Sequence, residues 1–404
     1  MAIATGIGKS LYYKKESALN TAPGITGAQD LRRVTSDLNL QKQTYQSQEI
    51  RSDYQIADFR HGARSVGGTI NGELSCLTWT DFMAAAFRKA WAAGGTTTSS
   101  GVTASSSAPH FTRATGSWIT DGFKVGDVVR VTGFTSAAAN NNRNYRITAL
   151  TALNMTVADM NATTATVAAE AAGGAITVSV VGKKLWVPST GHTDDSFYIE
   201  HWHRDINQSE RFGGCKVAQM ALNLPATGMA TIATSFIGVD MATDTSSYFT
   251  LPTSPTTTGV LAAVNGRLRI GGTDIATVTG LSLNINGNMS NGQVIGSNVT
   301  PDIFEGRFIA SGQFAAYFED GVLRDNFLNE DEISLHAYLT ATNAVNSPIM
   351  AITLPRIKLG TAPVNDGEGG LIRTYDFQAL KNVSGGASAD SLDTTVSIQD
   401  SEVP

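Results

Sequence analysis

Apolar and small polar residues alternate at period two across residues 38–40, 69–75, 197–202, 216–224, 229–237, 281–285, 307–318, 333–339 and 349–354. Successive side chains of a strand point to opposite faces, so this alternation gives a sheet one buried side and one solvated side. Clusters of Gly, Asn, Asp and Pro separate the segments, as antiparallel turns require. The expected class is mainly β. Residues 80–91, Thr-Asp-Phe-Met-Ala-Ala-Ala-Phe-Arg-Lys-Ala-Trp, break the alternation and read as a helix. Thr80 or Asp81 is placed to cap its first amides, and the alanines supply propensity. Arg88 and Lys89 sit in the last turn, where the dipole favours cations. Phe82, Ala86 and Phe87 line one face with Trp91 a turn beyond, and Gly94 and Gly95 stop the helix.

The alternating segments fall into two sets. Offset by 240 residues without a gap, Gly72-Glu73-Leu74-Ser75 lies over Gly312-Gln313-Phe314-Ala315. At the same offset Thr80, Phe82, Met83 and Phe87 lie over Asp320, Val322, Leu323 and Phe327. Upstream, residues 34–40 resemble 278–285. Downstream, 197–201 answer 333–337, 216–225 answer 350–355, and 229–236 answer 371–377. Strand, turn and helix recur in order, so the chain reads as two copies of one sheet-plus-helix unit. A length of 404 residues, beyond one ordinary core of about 100–200, accommodates both.

A block without counterpart in the second copy follows the first helix. Residues 96–107 are nearly all Thr, Ser, Gly and Ala, the composition of a flexible linker. Beyond them, short alternating runs around tight turns predict a small all-β barrel or sandwich. Residues 105–184 carry seven basic and four acidic side chains, net +3, against 22 and 31 elsewhere, net -9. The reading is therefore a discontinuous first unit (1–95 and 190–245), a linker (96–108) and an inserted β domain (109–185). A second unit (246–380) and an acidic C-terminal arm (381–404) follow. Segments 1–30 and 361–404 read as arms for pairing with neighbouring subunits, the alternative for the latter being a disordered acidic end carrying Asp390, Asp393, Asp400 and Glu402.

Composition narrows the function. A net charge of -6 and a sequence only 16% charged argue against gripping nucleic acid through phosphate neutralisation. Two cysteines, Cys76 and Cys215, do not make a disulfide scaffold and are expected as free thiols. No run of about 18 apolar residues exists, and the N-terminus lacks the apolar core of a signal peptide.

Three segments carry a family resemblance: Gly67-Gly68-Thr69-Ile70-Asn71-Gly72-Glu73-Leu74-Ser75, residues 220–231 (Met-Ala-Leu-Asn-Leu-Pro-Ala-Thr-Gly-Met-Ala-Thr), and residues 369–380 (Gly-Gly-Leu-Ile-Arg-Thr-Tyr-Asp-Phe-Gln-Ala-Leu). With the repeats around them, roughly 1–95 and 190–380, they resemble the tail tube (major tail) proteins of long-tailed, noncontractile bacteriophages. The resemblance implies β-sandwich or barrel units, each with a flanking helix, whose sheets join side by side into rings that stack into a hollow tube conducting DNA. Single-unit members form rings of six, so two units per chain imply a trimeric, pseudo-hexameric ring. It further implies a tape measure protein and passing DNA in the channel, transient and non-specific, and tail tip and tail terminator proteins as partners. The place implied is the virion tail, assembled in the host cytoplasm. The inserted block resembles the small β domains that many phage tail proteins carry outside their tube.

A conduit for DNA must not bind phosphate, and the net of -9 on the repeated part suits that. Polar period-two positions that qualify as channel-facing are Asn71, Glu73, Ser75, Asn284, Asn286, Ser311 and Gln313; the alternative is another solvated side of the wall. No catalytic residue, cofactor site or metal site is assigned, and an enzyme is not expected. Gly6-Ile7-Gly8-Lys9-Ser10 falls short of a phosphate loop because Ile3 stands where the motif needs Gly. His201 and His203 share a strand face with Asp205 nearby, but further metal ligands are missing and Glu200 points the other way. Asp194-Asp195 and Asn329-Glu330-Asp331-Glu332 read as solvated turns. Asn161, Asn298 and Asn382 head glycosylation sequons without meaning in a bacterial cytoplasm. In the inserted block, Phe111, Trp118, Phe123, Phe134 and Tyr145 with Arg113, Lys124, Arg130, Arg143 and Arg146 are either a barrel core with solvated charges or a glycan or nucleic-acid surface. The latter makes a tail-associated adhesin or decoration protein the alternative function.

Overall fold

The computed structural model describes residues 3–160, 167–365 and 368–404; Asn161 lies outside them. Among the described residues the protein is mainly β with two α-helices. In chain order the main elements are β1 (Lys9–Lys15), β2 (Thr35–Ser36), β3 (Asn39–Gln46), β4 (Phe59–Glu73), α1 (Thr80–Phe87), β5 (Lys183–Trp186), β6 (Phe197–His203), β7 (Gln208–Pro225), β8 (Thr231–Gly238), β9 (Arg267–Ile270), β10 (Val278–Asn286), β11 (Ile309–Tyr317), α2 (Val322–Leu328), β12 (Ile333–Thr340), β13 (Ile349–Thr361), β14 (Ile372–Ala379) and β15 (Ser397–Asp400).

Register pairs place eight of these in one antiparallel sheet, ordered β3–β4–β8–β7–β10–β11–β14–β13. The order is one four-strand pattern used twice, β3–β4–β8–β7 and then β10–β11–β14–β13. The sequence offset between the central strands holds in space: Asn71 pairs with Ala233 as Ser311 pairs with Gln378. Gly72 and Gly312, identical in the two copies, are each held by close neighbours. A Cβ on Gly72 would run into the Trp79 ring; one on Gly312 would meet the backbone carbonyl of Ser282 first and lie 2.7 Å from the Phe377 ring. The upstream alignment needs correction. Thr35 faces Asn71 as Asn284 faces Ser311, so Thr35 is the counterpart of Asn284 rather than of Thr279, and 34–40 does not superpose on 278–285.

The long strands β7 and β13 link this sheet to a second layer. The first half of β7 pairs with β6, which pairs with β1, while the first half of β13 pairs with β12 and β15. One apolar core fills the space between: Ile70, Met220, Leu222, Leu283, Ile285, Phe314 and Phe377 from the sheet, and Leu11, Phe197, Ile199, Leu335 and Ile352 from the other layer. α1 sits inside it, because Phe82, Met83 and Phe87 are fully buried and Phe82 meets the rings of Tyr13, Phe197 and Phe236. α2 buries no residue.

The helix boundaries differ from expectation. No side chain caps α1 at its N-terminus, and it ends at Arg88, whose left-handed backbone (φ 56°) donates to the carbonyls of Ala84 and Ala85, well before Gly94. Arg88 is buried there for a reason: its guanidinium donates to the carbonyls of Gly287 and Gly306 and pairs with Glu305.

Residues 96–107 are not a linker. Thr96–Ser99 and Val102–Ser105 are strands of a separate seven-stranded sheet extending to Ile176–Val180. Thr97 and Thr98 pair with Val178 and Thr177, and Val102 and Ala104 point into the block's own core. The block is clamped to the second repeat. Gln399 donates to the carbonyls of Val128 and Val181 at 2.8 Å, Arg146 pairs with Asp274, and Val128, Met160 and Val181 pack on Tyr338, Ile349 and Ala351. Neither terminal segment is a free arm. β1 turns Leu11 and Tyr13 into the core, and β15 lies between β5 and β13 with Val396 and Ile398 buried.

Candidate functional site: a polar sheet face and two open edges

The sheet face opposite the core is built from the polar half of the alternation. Across the strands in register run Glu73, Thr231, Asn223, Ser282, Gln313, Asp376 and Thr361. The next row is Asn71, Ala233, Ala221, Asn284, Ser311, Gln378 and Lys358, and the third is Thr69, Ser235, Gln219, Asn286 and Ile309. Charge on these rows is limited to two carboxylates and one lysine. Neighbouring polar groups bind one another: Thr69 and Ser235 hydroxyls lie 2.9 Å apart, Asn71 donates to Thr35 at 2.9 Å, and Thr361 donates to Asp376 at 2.7 Å.

Six of the seven positions selected from sequence, Asn71, Glu73, Asn284, Asn286, Ser311 and Gln313, lie on this face. Ser75 does not. β4 ends at Glu73, Leu77 takes a positive φ of 68°, and Ser75 turns inward with its hydroxyl 2.6 Å from that of Thr78. Ser75 is 1% exposed. Sequence reasoning missed Gln219, Asn223, Thr231, Ser235, Ser282, Asp376 and Gln378, although each has the same period-two parity in a strand already recognised.

Between the repeats, β7 and β10 pair from Gln219↔Asn286 to Pro225↔Gly280, burying Met220, Leu222 and Leu224 beside Ile285, Leu283 and Leu281. At the sheet's two ends the corresponding edges have no partner strand among the described residues. One is β2 with β3, which pair as strands with β4 alone; the other is the end of β13 from Lys358 to Thr361, which pairs as a strand with β14 alone. The β3–β4 hairpin extends past the sheet to a tip where Ile50, Tyr54, Ile56 and Phe59 are exposed.

The remaining motifs are structural. Lys9 donates to the carbonyl of Ser36, and the Asp205 carboxylate accepts from the backbone of Thr5, so the Gly6–Ser10 turn is closed by its own chain. His201 is buried with Nε2 2.9 Å from the Ser36 hydroxyl, and burial drives it down to about 4, which keeps it neutral. Glu200, on the other face, accepts from the amides of Tyr248 and Phe249 and from the Ser209 hydroxyl. Asp194 and Asp195 pair with Lys216 and Lys15, and Glu332 pairs with Arg356. In the inserted block all five aromatics are buried, while Arg113 pairs with Asp121 and Lys124 donates to the carbonyls of Gly386, Ala387 and Ala389. A cavity of about 270 Å³ between this block and the second repeat is lined by Lys124, Arg269, His336 and Asp390. Burial drives His336 to about 4 and lowers Lys124, and the Lys124 ammonium is fully engaged by carbonyls. Among the described residues no group of three His, Cys, Asp or Glu side chains is placed to hold a metal ion, and no helix is long and apolar enough to cross a membrane.

The family model described as phage tail tube protein matches residues 6–379 of this chain. No curated protein matches it.

Proposed function

This chain belongs to the phage tail tube protein family, and from that membership we propose that it builds the wall of a tail tube as a ring of three chains, each supplying two four-stranded repeats, stacked around a channel that conducts DNA. One observation carries the reading. The two repeats form a single continuous sheet in one strand order, with a polar face and an unpaired edge at each end. Sheet edges demand partners, and a second copy offers the same geometry that the β7–β10 junction already satisfies within the chain. The polar face then lines the channel. Its amides and hydroxyls hydrogen-bond water and one another, and with Glu73 and Asp376 outnumbering Lys358 it offers phosphate no net attraction. The -9 net charge of the repeated part accords with this, and the inserted block would lie outside the tube. The exposed apolar hairpin tip is suited to burial against the next ring. The chain acts as a structural protein of the virion tail, with tape measure, tip and terminator proteins as partners and assembly in the host cytoplasm.

Negative-stain electron microscopy of the concentrated, purified chain tests the reading. Hollow rings or rods are expected. A chain that stays monomeric at every concentration and binds host cells would favour the adhesin alternative.

A further inference from the structure

We infer that the seam between neighbouring copies has a defined register, with Lys358 of one copy opposite Thr35 of the next and Leu359 opposite Val34. The inference rests on the ring reading above and takes its geometry from the junction inside the chain. Position by position, the strands that flank the two edges repeat. Ile232 faces Gly72 and Leu222, while Phe377 faces Gly312 and Leu359, so Leu359 is the counterpart of Leu222. Leu283 faces Gly312; the residue facing Gly72 one place before the Thr35↔Asn71 pair is Val34, so Val34 is the counterpart of Leu283. Leu222 and Leu283 are direct partners across the internal junction. Carrying that pairing to the open edges sets Leu359 against Val34. The next pair, Ala221↔Asn284, becomes Lys358↔Thr35.

The exposure of these residues fits the role. Leu283 is 2% exposed inside the junction, whereas Val34 is 61% exposed in the single chain. An antiparallel partner would cover it with Leu359, which already packs on the edge of the core. The seam is shorter than the junction that serves as its template. Ile333 already occupies the same edge of β13 at Ile357, and a bulge follows Leu359, so only Lys358–Thr361 is open against seven paired positions between β7 and β10. A ring so built alternates long junctions within chains and short seams between them, and it opens at the seams.

Two double variants of the full chain test the register, Val34→Cys with Leu359→Cys on the core side and Thr35→Cys with Lys358→Cys on the polar side. The native thiols Cys76 and Cys215 are buried and do not compete. After assembly and mild oxidation, either pair is expected to link neighbouring chains into covalent oligomers, since directly opposed residues bring their Cβ atoms to about 4.5–5.5 Å. Ser36→Cys with Leu359→Cys, displaced about 7 Å along the strand, is the out-of-register control and should not link. Tubes or rings that assemble without linking the in-register pairs, or that link the control as readily, would overturn the register and leave the ring reading standing. Failure of the unmodified chain to form rings or tubes would overturn both.

Discussion

Val34 and Leu283 hold matching positions in the two repeats but meet different surroundings, so truncating each separates folding from assembly. Leu283 is 2% exposed, with Leu222 on one neighbouring strand and Gly312 on the other. Leu283→Ala removes buried methyl groups in a place where a paired sheet cannot collapse, and about 3–4 kcal/mol of chain stability should be lost. Val34→Ala in the dilute chain removes atoms that are mostly in water, and the change should stay within about 0.5 kcal/mol. In the ring each added chain closes one seam. Two buried carbons at about 0.8 kcal/mol each come to about 1.6 kcal/mol per chain, or roughly a 15-fold rise in the concentration needed for polymerisation. Denaturant unfolding of the dilute chain and light scattering across a concentration series measure the two quantities. The reasoning fails if Val34→Ala destabilises the dilute chain as much as Leu283→Ala, or if it leaves the polymerisation threshold where it was.

Three other outcomes follow from particular residues. Burial raises the Asp400 carboxyl to about 6 from 3.8. The folded chain therefore keeps a proton that the unfolded chain releases, and this residue's contribution falls by about 2.4 kcal/mol as pH rises from 4 to 7; comparison of wild type with Asp400→Asn by urea unfolding at both ends of that range should show the drift. Gly72→Ala drives a methyl into the Trp79 ring and should cost about 1–3 kcal/mol, read as a lowered unfolding midpoint. Glu73→Lys with Asp376→Lys turns the polar face cationic; tubes of this variant should retain linear DNA at low salt and release it as salt rises, while wild-type tubes retain none.

Much of the architecture is legible in the alternation, because a half-buried strand must place like residues at every second position, as Thr69, Asn71 and Glu73 do. What escaped depends on contacts distant in sequence. The Thr-rich run at 96–107 has the composition of a linker, yet strand 176–180 supplies it with a partner and turns it into sheet edge. Arg88 reads as a charge at a helix end, but the carbonyls of Gly287 and Gly306, far beyond the inserted block in the chain, draw it into the core. Ser75 follows the parity of Asn71 and Glu73, but past the end of β4 it bridges to Val260 and its hydroxyl meets that of Thr78, so chain distant in sequence covers it. The acidic tail looks solvated by composition, while Val396 and Ile398 at alternate positions bind it into the sandwich.

Six repeats around the ring from three chains is the central claim. Native mass spectrometry of the isolated ring tests it most directly, because one chain weighs 42.5 kDa and the ring mass must be a whole multiple of that. The account predicts the mass of three chains. A ring with the mass of six chains would contradict it.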